Sequence, residues 1–152
     1  MAKEATFKVY RGDKTGGELK EYKIPVEEGM VVLDVMHYIQ GYYDPDFAVR
    51  WNCKAAKCGS CSGEVNGKPS LMCKTRLDHL DLSQPVEVRP MATFPVIKDL
   101  VTDVSWNYEV NKRIKGFTPP NENVDDWTYF QEDVDRIQEF RKCIECFLCQ
   151  NV

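Results

Sequence analysis

No stretch of this sequence is long and apolar enough to cross a bilayer as a helix, which takes about 20 apolar residues in a row. The opening Met1-Ala-Lys-Glu-Ala lacks the hydrophobic core of a secretory signal, so a reducing, intracellular setting is expected. Basic residues are outnumbered as well, 20 Lys and Arg against 24 Asp and Glu. The formal net charge of −4 argues against sequence-independent nucleic-acid binding, which needs a concentrated basic surface. There is no G-x-G-x-x-G or Walker loop, so the usual dinucleotide and nucleotide fingerprints are missing. Histidine is confined to His37 and His79, and no Ser/His/Asp or Cys/His set has residues to spare for nucleophilic catalysis. Internal repeats and low-complexity tracts are absent too. What is left is a globular composition, 43% hydrophobic and 11% aromatic. Its 152 residues suffice for one ordinary domain, or a small one with part of another.

Against this background seven cysteines stand out. Cys53, Cys58 and Cys61 have the spacing C-x4-C-x2-C, and Cys73 follows twelve positions later. That is the plant-type [2Fe–2S] ligand spacing. Ala55, Ala56, Gly59, Ser60, Ser62 and Gly63 are small enough to let a loop wrap closely, with its amides turned toward sulfides. Lys54 and Lys57 offset the negative charge of such a cluster. A four-cysteine zinc site would instead be built from two C-x2-C-like pairs across a spacer. Disulfides fit neither the expected compartment nor the odd count. A Rieske centre needs two histidines in place of two cysteines; with all four cysteines present, His37 and His79 read as structural or solvated.

Along the chain, Phe7 and Val9, then Leu19, Tyr22, Ile24 and Val26, predict two strands joined over Gly16-Gly17, which supply positive φ for a tight hairpin. Pro25 places the second strand at a sheet edge. Val32, Leu33, Val35, Met36 and Ile39 predict a helix that stops near Gly41. A hairpin over Asn66-Gly67 is predicted next, with 62–65 and 71–73 as its strands and Cys73 on the second, then a last strand over 86–89. A helix across one face of a small mixed sheet, an α+β domain closing near Pro90, satisfies this order. After an extended connector over 93–97, the spacing of Ile97, Leu100, Val101, Val104, Tyr108 and Ile114 predicts a helix, ended by Gly116 and Pro119-Pro120. Residues 121–126 read as a polar linker, and 131–142 as a charged helix with Val134, Ile137 and Phe140 facing a core. The acids Asp125, Asp126, Glu132, Asp133 and Asp135 read as a solvated face or as charge on a helix N-terminus.

Cys143, Cys146 and Cys149 close the chain as C-x2-C-x2-C, the first part of the bacterial ferredoxin run C-x2-C-x2-C-x3-C-P. Three such thiolates hold only part of a cubane cluster. The motif places its next cysteine directly after Val152, so the expectation is a longer protein with a second run and a third cluster.

Arg50-Trp51-Asn52-Cys53, Cys58-Gly59-Ser60-Cys61, Asn66-Gly67, Leu71-Met72-Cys73, Phe94-Pro95-Val96-Ile97-Lys98-Asp99-Leu100-Val101 and Cys143-Ile-Glu-Cys146-Phe-Leu-Cys149 together resemble the iron–sulfur subunit of succinate dehydrogenase and fumarate reductase. The resemblance implies a ubiquitin-like β-grasp plant-type ferredoxin domain over 1–92. The start of an α-helical bacterial-ferredoxin-like domain over 93–152 would follow. Cys53, Cys58, Cys61 and Cys73 match its [2Fe–2S] ligands, and Cys143, Cys146 and Cys149 match three [4Fe–4S] ligands. A [3Fe–4S] cluster is implied for the full-length protein. So is a relay role between a flavoprotein (FAD) subunit and a membrane anchor with its quinone, peripheral on the cytoplasmic face of the bacterial inner membrane. The rivals are a free plant-type ferredoxin and the iron–sulfur subunit of another oxidoreductase, such as a molybdenum hydroxylase.

Overall fold

Apolar residues alternate with polar ones through Ala5, Phe7 and Val9, and again through Tyr22, Ile24 and Val26, and every one of these apolar residues is buried. In the computed structural model, which describes residues 3–116 and 130–152, they lie on β1 (Lys3–Asp13) and β2 (Gly16–Val26). The two strands pair antiparallel along their whole length. Their turn is Lys14-Thr15, with the Thr15 amide and hydroxyl both donating to Asp13 Oδ1. This corrects the expected role of the two glycines. Gly16 does take a positive φ of 132°, but Gly17 is needed for space, since a Cβ there would meet Arg11 O at 2.3 Å. β2 pairs with β1 alone, so Pro25 sits on an edge as expected.

Helix α1 (Val32–Tyr42) buries Val32, Leu33, Val35, Met36 and Ile39 in the same core as Phe7, Val9, Tyr22 and Ile24. Asp34 starts it by accepting the Val31 amide at 3.0 Å, and its charge favours the helix N-terminus. Next come β3 (Ser62–Val65), β4 (Lys68–Leu71), a 3-10 turn (Leu77–His79) and β5 (Val86–Arg89). Asn66 and Gly67 both have positive φ, 49° and 72°, as a two-residue hairpin requires. β5 runs parallel to β1 and antiparallel to β3, which makes the sheet mixed.

Beyond Pro90 the sheet does not close. Residues expected to begin a helix at Ile97 instead form β6 (Val96–Lys98) and β7 (Val101–Thr102), an antiparallel pair joined to β1 at Asp13↔Lys98. The cause is Asp99. It is 1% exposed with φ 50°, and its carboxylate accepts Arg11 Nε (2.9 Å), Gly12 N (3.1 Å) and Ala48 N (2.8 Å). A helix through 97–104 would withdraw that carboxylate from all of them. Only α2 (Ser105–Asn111) is helical in this stretch.

Arg11 gathers more charge around this point, with Asp44 at 2.6 Å and Asp46 at 3.1 Å, while Lys20 reaches Asp44 and Lys98 reaches Asp46. The Lys20 ammonium and the Tyr22 hydroxyl hold Asp44 below its ordinary carboxylate range, and Lys98 and Arg11 do the same for Asp46. A carboxylate lowered on folding stabilises the fold above its unfolded pKa of 3.8 and loses that contribution as pH falls through the lowered value. Stability is therefore expected to be level near neutrality and to drop below about pH 4. Urea midpoints measured across pH 2 to 7 check this, and replacing Asp44 by Asn is expected to flatten the acid limb.

The chain divides into two compact units, Met1–Asp103 with Glu145–Val152, and Val104–Ile144. The second holds α2 and α3 (Gln131–Arg141), and neither helix buries a residue fully. Val134, Ile137 and Phe140 do not form the expected core face: Phe140 is 82% exposed. Glu132 and Asp133 lie in the first turn of α3, as read from the sequence. The expected 121–126 linker, Pro119-Pro120, Asp125 and Asp126 lie outside the described residues. Among the described residues no helix is long and apolar enough to cross a membrane.

Candidate metal centre

The loop between α1 and β3 is fixed from below before it reaches its cysteines. Phe47 is buried in the core, its carbonyl accepts Gln40 Nε2 at 2.9 Å, and the Ala48 amide is held by Asp99. Trp51 then stacks edge-on against His37, centroids 4.7 Å apart, with Lys54 Nζ 4.9 Å above its ring. His37 is thus a half-buried packing residue, its Nε2 without a partner and its pKa lowered by burial and by Lys54. His79 is exposed in the 3-10 turn.

Left-handed backbone recurs at Lys54 (53°), Ala56 (54°) and Gly59 (69°). Such alternation turns successive amides to one side, the geometry of an anion-binding concavity. Here they point at sulfur. Ala55 N and Lys57 N each donate to Cys53 Sγ at 3.3 Å, and Cys53 N donates to Cys58 Sγ at 3.5 Å. The Ser60 hydroxyl and nearby amides push the Cys58 thiol down to about 6. Cys61 is 4% exposed, and burial, with Cys73 and Cys58 close by, pushes its thiol up to about 11.

Cys73 is not on a strand. The two-residue turn pairs Val65 with Lys68, so β4 ends at Leu71 and Cys73 falls in the turn that follows. That turn is tied down at both ends. Val32 N and Leu33 N, which no bond inside α1 can satisfy, donate to Thr75 O (2.9 Å) and Met72 O (3.1 Å). Met72 is itself buried, and its amide donates to Cys61 O at 3.0 Å. The Cys73 amide then meets Cys61 Sγ at 3.4 Å.

Two amide-to-sulfur bonds thus link the cysteines two by two, Cys53 N to Cys58 Sγ and Cys73 N to Cys61 Sγ. Among the described residues no three His, Cys, Asp or Glu side chains converge on the position of a single metal ion. Two thiol pairs are instead the donor set of a two-iron core, in which each iron takes two cysteines. The residues present fit that group.

The second cysteine run divides between the units. Cys143 is exposed just after α3, its amide donating to Phe140 O, and belongs to the second unit. Cys146 and Cys149 belong to the first. Glu145 and Phe147, on either side of Cys146, repeat the left-handed backbone at 54° and 58°. The terminal segment is pinned to the sheet side by Asn151, which accepts Thr93 N (2.9 Å) and donates to Glu64 Oε1 (2.8 Å). Thr93 Oγ1 also donates to Gln150 O, and Phe94 packs on Phe147. Ser62 Oγ lies 2.8 Å from Cys146 O. Sequence reading, which took Ser62 only as a small loop residue, missed its bond to Cys146 O, the Glu64–Asn151 bond and the Arg11–Asp99 pair, because these partners lie 84 to 88 positions apart.

Residues 6–109 match the family model described as 2Fe-2S iron-sulfur cluster binding domain. The fumarate reductase iron-sulfur subunit of Haemophilus influenzae is 33% identical over 145 residues, covering 86% of this chain and 56% of that protein. The subunit of the same name from Mycobacterium tuberculosis is 36% identical over 132 residues, covering 84% of this chain and 53% of that one. The chain thus spans about half the length of these curated relatives. A chain of the Mycobacterium smegmatis Sdh1 complex in the apo form superposes with a TM-score of 0.96 at 56% identity, covering 100% of this chain and 64% of that one. The mixed sheet with few helices agrees with a 2Fe–2S ferredoxin-like domain. The chain belongs to the 2Fe-2S iron-sulfur cluster binding domain family and, over most of its own length, is homologous to the iron–sulfur subunits of fumarate reductase.

Proposed function

We propose that this chain is part of the iron–sulfur subunit of a succinate dehydrogenase or fumarate reductase complex. There it relays electrons between the flavin of a catalytic subunit and the quinone at a membrane anchor. The observation that carries the reading is the pairing of Cys53 with Cys58 and Cys61 with Cys73, in a loop whose amides point at sulfur. The names of the relatives support the same assignment. Cys53, Cys58, Cys61 and Cys73 hold a [2Fe–2S] cluster. Cys143, Cys146 and Cys149 supply three ligands of a [4Fe–4S] cluster, and a [3Fe–4S] cluster belongs to the full-length protein. The ligand loop sits in a β-grasp ferredoxin domain proposed over residues 1–92, whose sheet β6 and β7 extend, and a helical domain of bacterial-ferredoxin type begins within 93–152. Dicarboxylate chemistry belongs to the flavoprotein. The subunit lies peripherally on the cytoplasmic face of the membrane.

When bound, such a cluster takes up and gives back one electron at a time. The chain's part is to hold and tune it. Ala55 and Lys57 amides draw charge from the Cys53 sulfur, which favours the reduced, more negative form. Buried Cys61 keeps water from one side of the site. The Lys54 and Lys57 ammonium groups act in the same direction as the amides. Replacing both by Gln is expected to lower the reduction potential without loss of the cluster, as read in an EPR-monitored redox titration.

Purification of the full-length protein from its native membranes is expected to bring a flavoprotein with it, and succinate to reduce the bound clusters. A protein that isolates alone, with clusters untouched by succinate, would instead be a free ferredoxin-like carrier.

A further inference from the structure

Tyr22, on β2, is 2% exposed, and its hydroxyl donates to Asp44 Oδ2 while Arg11 Nη1 donates to the phenol oxygen at 3.4 Å. Burial and Asp44 push that hydroxyl up to about 12, so it keeps its proton at neutral pH. The half-exposed Tyr43 stands edge-on to it, with ring centroids 5.7 Å apart. Tyr43 lies 6.2 Å from Tyr38, and Tyr38 lies 4.5 Å from Tyr42, which is 76% exposed. Four rings thus step from the core to solvent at the C-terminal end of α1. An oxidised phenol is a strong acid, so tyrosine gives up an electron readily only where a base takes its proton in the same step. Tyr43 donates to Lys23 O, a backbone carbonyl and a weak base. Tyr22 faces a carboxylate. The Lys20 ammonium, 5.3 Å from the Tyr22 ring centroid, and the Arg11 guanidinium both oppose a positively charged ring there. Electron loss at Tyr22 therefore has to carry the proton with it.

We propose that Tyr22 is a redox-active tyrosine with Asp44 as its proton acceptor, and that Tyr43, Tyr38 and Tyr42 connect it to one-electron oxidants in solution. The oxidants are small inorganic or oxygen-derived radicals, which cannot touch the buried Tyr22 ring directly. Such a radical takes one electron from an exposed ring, Tyr42 or Tyr43, and that phenol releases its proton to water. Each ring is restored when its inner neighbour supplies an electron and water returns the proton. Tyr22 supplies the last electron, to Tyr43, and passes its proton to Asp44 Oδ2. The Tyr22 O–H bond breaks and an O–H bond forms on Asp44. The net products are the reduced oxidant, a neutral Tyr22 phenoxyl radical and a protonated Asp44. Lys20 and the Tyr22 hydroxyl hold Asp44 below its ordinary range, which makes it a weaker base than a free carboxylate but a far stronger one than water. Arg11 Nη1 stays as donor to the phenoxyl oxygen. A reductant of the thiol or ascorbate class reverses the sequence, its electron returning through Tyr43 and the proton from Asp44. None of these steps involves the cysteines.

The test exposes the full chain to azide radical generated by pulse radiolysis. Tyrosyl absorbance is followed in time, and the radical is frozen for high-field EPR, whose g-tensor reports a hydrogen bond to the phenoxyl oxygen. The expected result is a hydrogen-bonded tyrosyl radical that outlives that of free tyrosine several-fold. Tyr22→Phe keeps the ring and is expected to lose this signal, leaving a short-lived radical without the hydrogen bond. Asp44→Asn keeps the shape but not the base, and is expected to lower the yield of the long-lived radical several-fold. Tyr43→Phe keeps the ring contact but blocks the transfer, and is expected to slow the appearance of the radical several-fold. This last change lies outside the Arg11 charge cluster, so it holds the test if the other two variants fail to fold, as melting temperatures will show. A wild-type protein without the long-lived radical, or the same radical in Tyr22→Phe, would overturn the proposal. Wild-type kinetics in Tyr43→Phe would overturn the route, and an undiminished yield in Asp44→Asn would overturn the role of Asp44.

Discussion

Replacing Cys73 by alanine is expected to abolish the [2Fe–2S] signal and to lower the melting temperature of the loaded protein. Cys73 is the one member of its set that comes from outside the 53–61 loop, and the turn that carries it is built from contacts with the core. Met72 is buried, and Met72 O and Thr75 O take the first free amides of α1. A cluster joining Cys61 to Cys73 therefore ties the ligand loop to the helix start, so losing it removes stability along with the chromophore. The Cys61–Cys73 pair would be left with one thiol, buried and held toward its neutral form. Cys73→Ser is expected to be milder, keeping a cluster at a shifted potential because oxygen is a harder ligand than sulfur. Visible and EPR spectra with a thermal melt of each variant check this. Unchanged spectra in Cys73→Ala would take Cys73 out of the ligand set.

The largest loss of stability without loss of a ligand is expected at Arg11. Its guanidinium faces Asp99, Asp44 and Asp46, and hydrogen bonds to Tyr22, Asp99 and Asp46 outweigh its burial and raise its pKa. Lys20 and Lys98 still reach Asp44 and Asp46 if Arg11 is lost. Asp99, at 1% exposure, keeps only the amides of Gly12 and Ala48. Removing one partner of a buried pair costs about 3–5 kcal/mol, a large part of the roughly 5–15 kcal/mol that holds a domain together. Arg11→Met is therefore expected to lower the urea midpoint sharply. Arg11→Met with Asp99→Asn is expected to recover part of the loss, because the uncompensated charge is gone. A double variant less stable than the sum of its single changes would contradict this. The pair also holds Ala48 at the foot of the ligand loop, so Arg11→Met is expected to make the cluster more labile as well.

What the sequence disclosed was local. The C-x4-C-x2-C spacing, the Asn66-Gly67 hairpin, the α1 periodicity and the β1–β2 alternation each depend on residues within a few positions of one another. The α1 periodicity and the β1–β2 alternation reappear as α1, β1 and β2, and Asn66-Gly67 does turn the chain between β3 and β4, although β4 is Lys68–Leu71 rather than 71–73. The misread parts are decided at long range. Ile97, Leu100, Val101 and Val104 are spaced like a helix face, yet Asp99 is claimed by Arg11, 88 positions away, and the segment is drawn out into β6 and β7. Cys73 was set on a strand because the apolar run continued through Met72. The short β4 and the amides of α1 bend that run into a turn. In α3 the i, i+3, i+6 spacing of Val134, Ile137 and Phe140 suggested a buried face, but periodicity does not say whether anything packs there. The serine that joins the two cysteine runs has no local signature, since its partner is 84 positions downstream.

The most direct measurement of the central claim is chemical and magnetic analysis of the protein after anaerobic reconstitution with iron and sulfide. If Cys53, Cys58, Cys61 and Cys73 act as two thiolate pairs, the reduced protein gives the EPR signal of a [2Fe–2S] centre. Acid-labile sulfide then matches iron at that site, and Cys53→Ala or Cys58→Ala removes both. A protein that binds zinc, contains no acid-labile sulfide and gives no such signal would contradict the account.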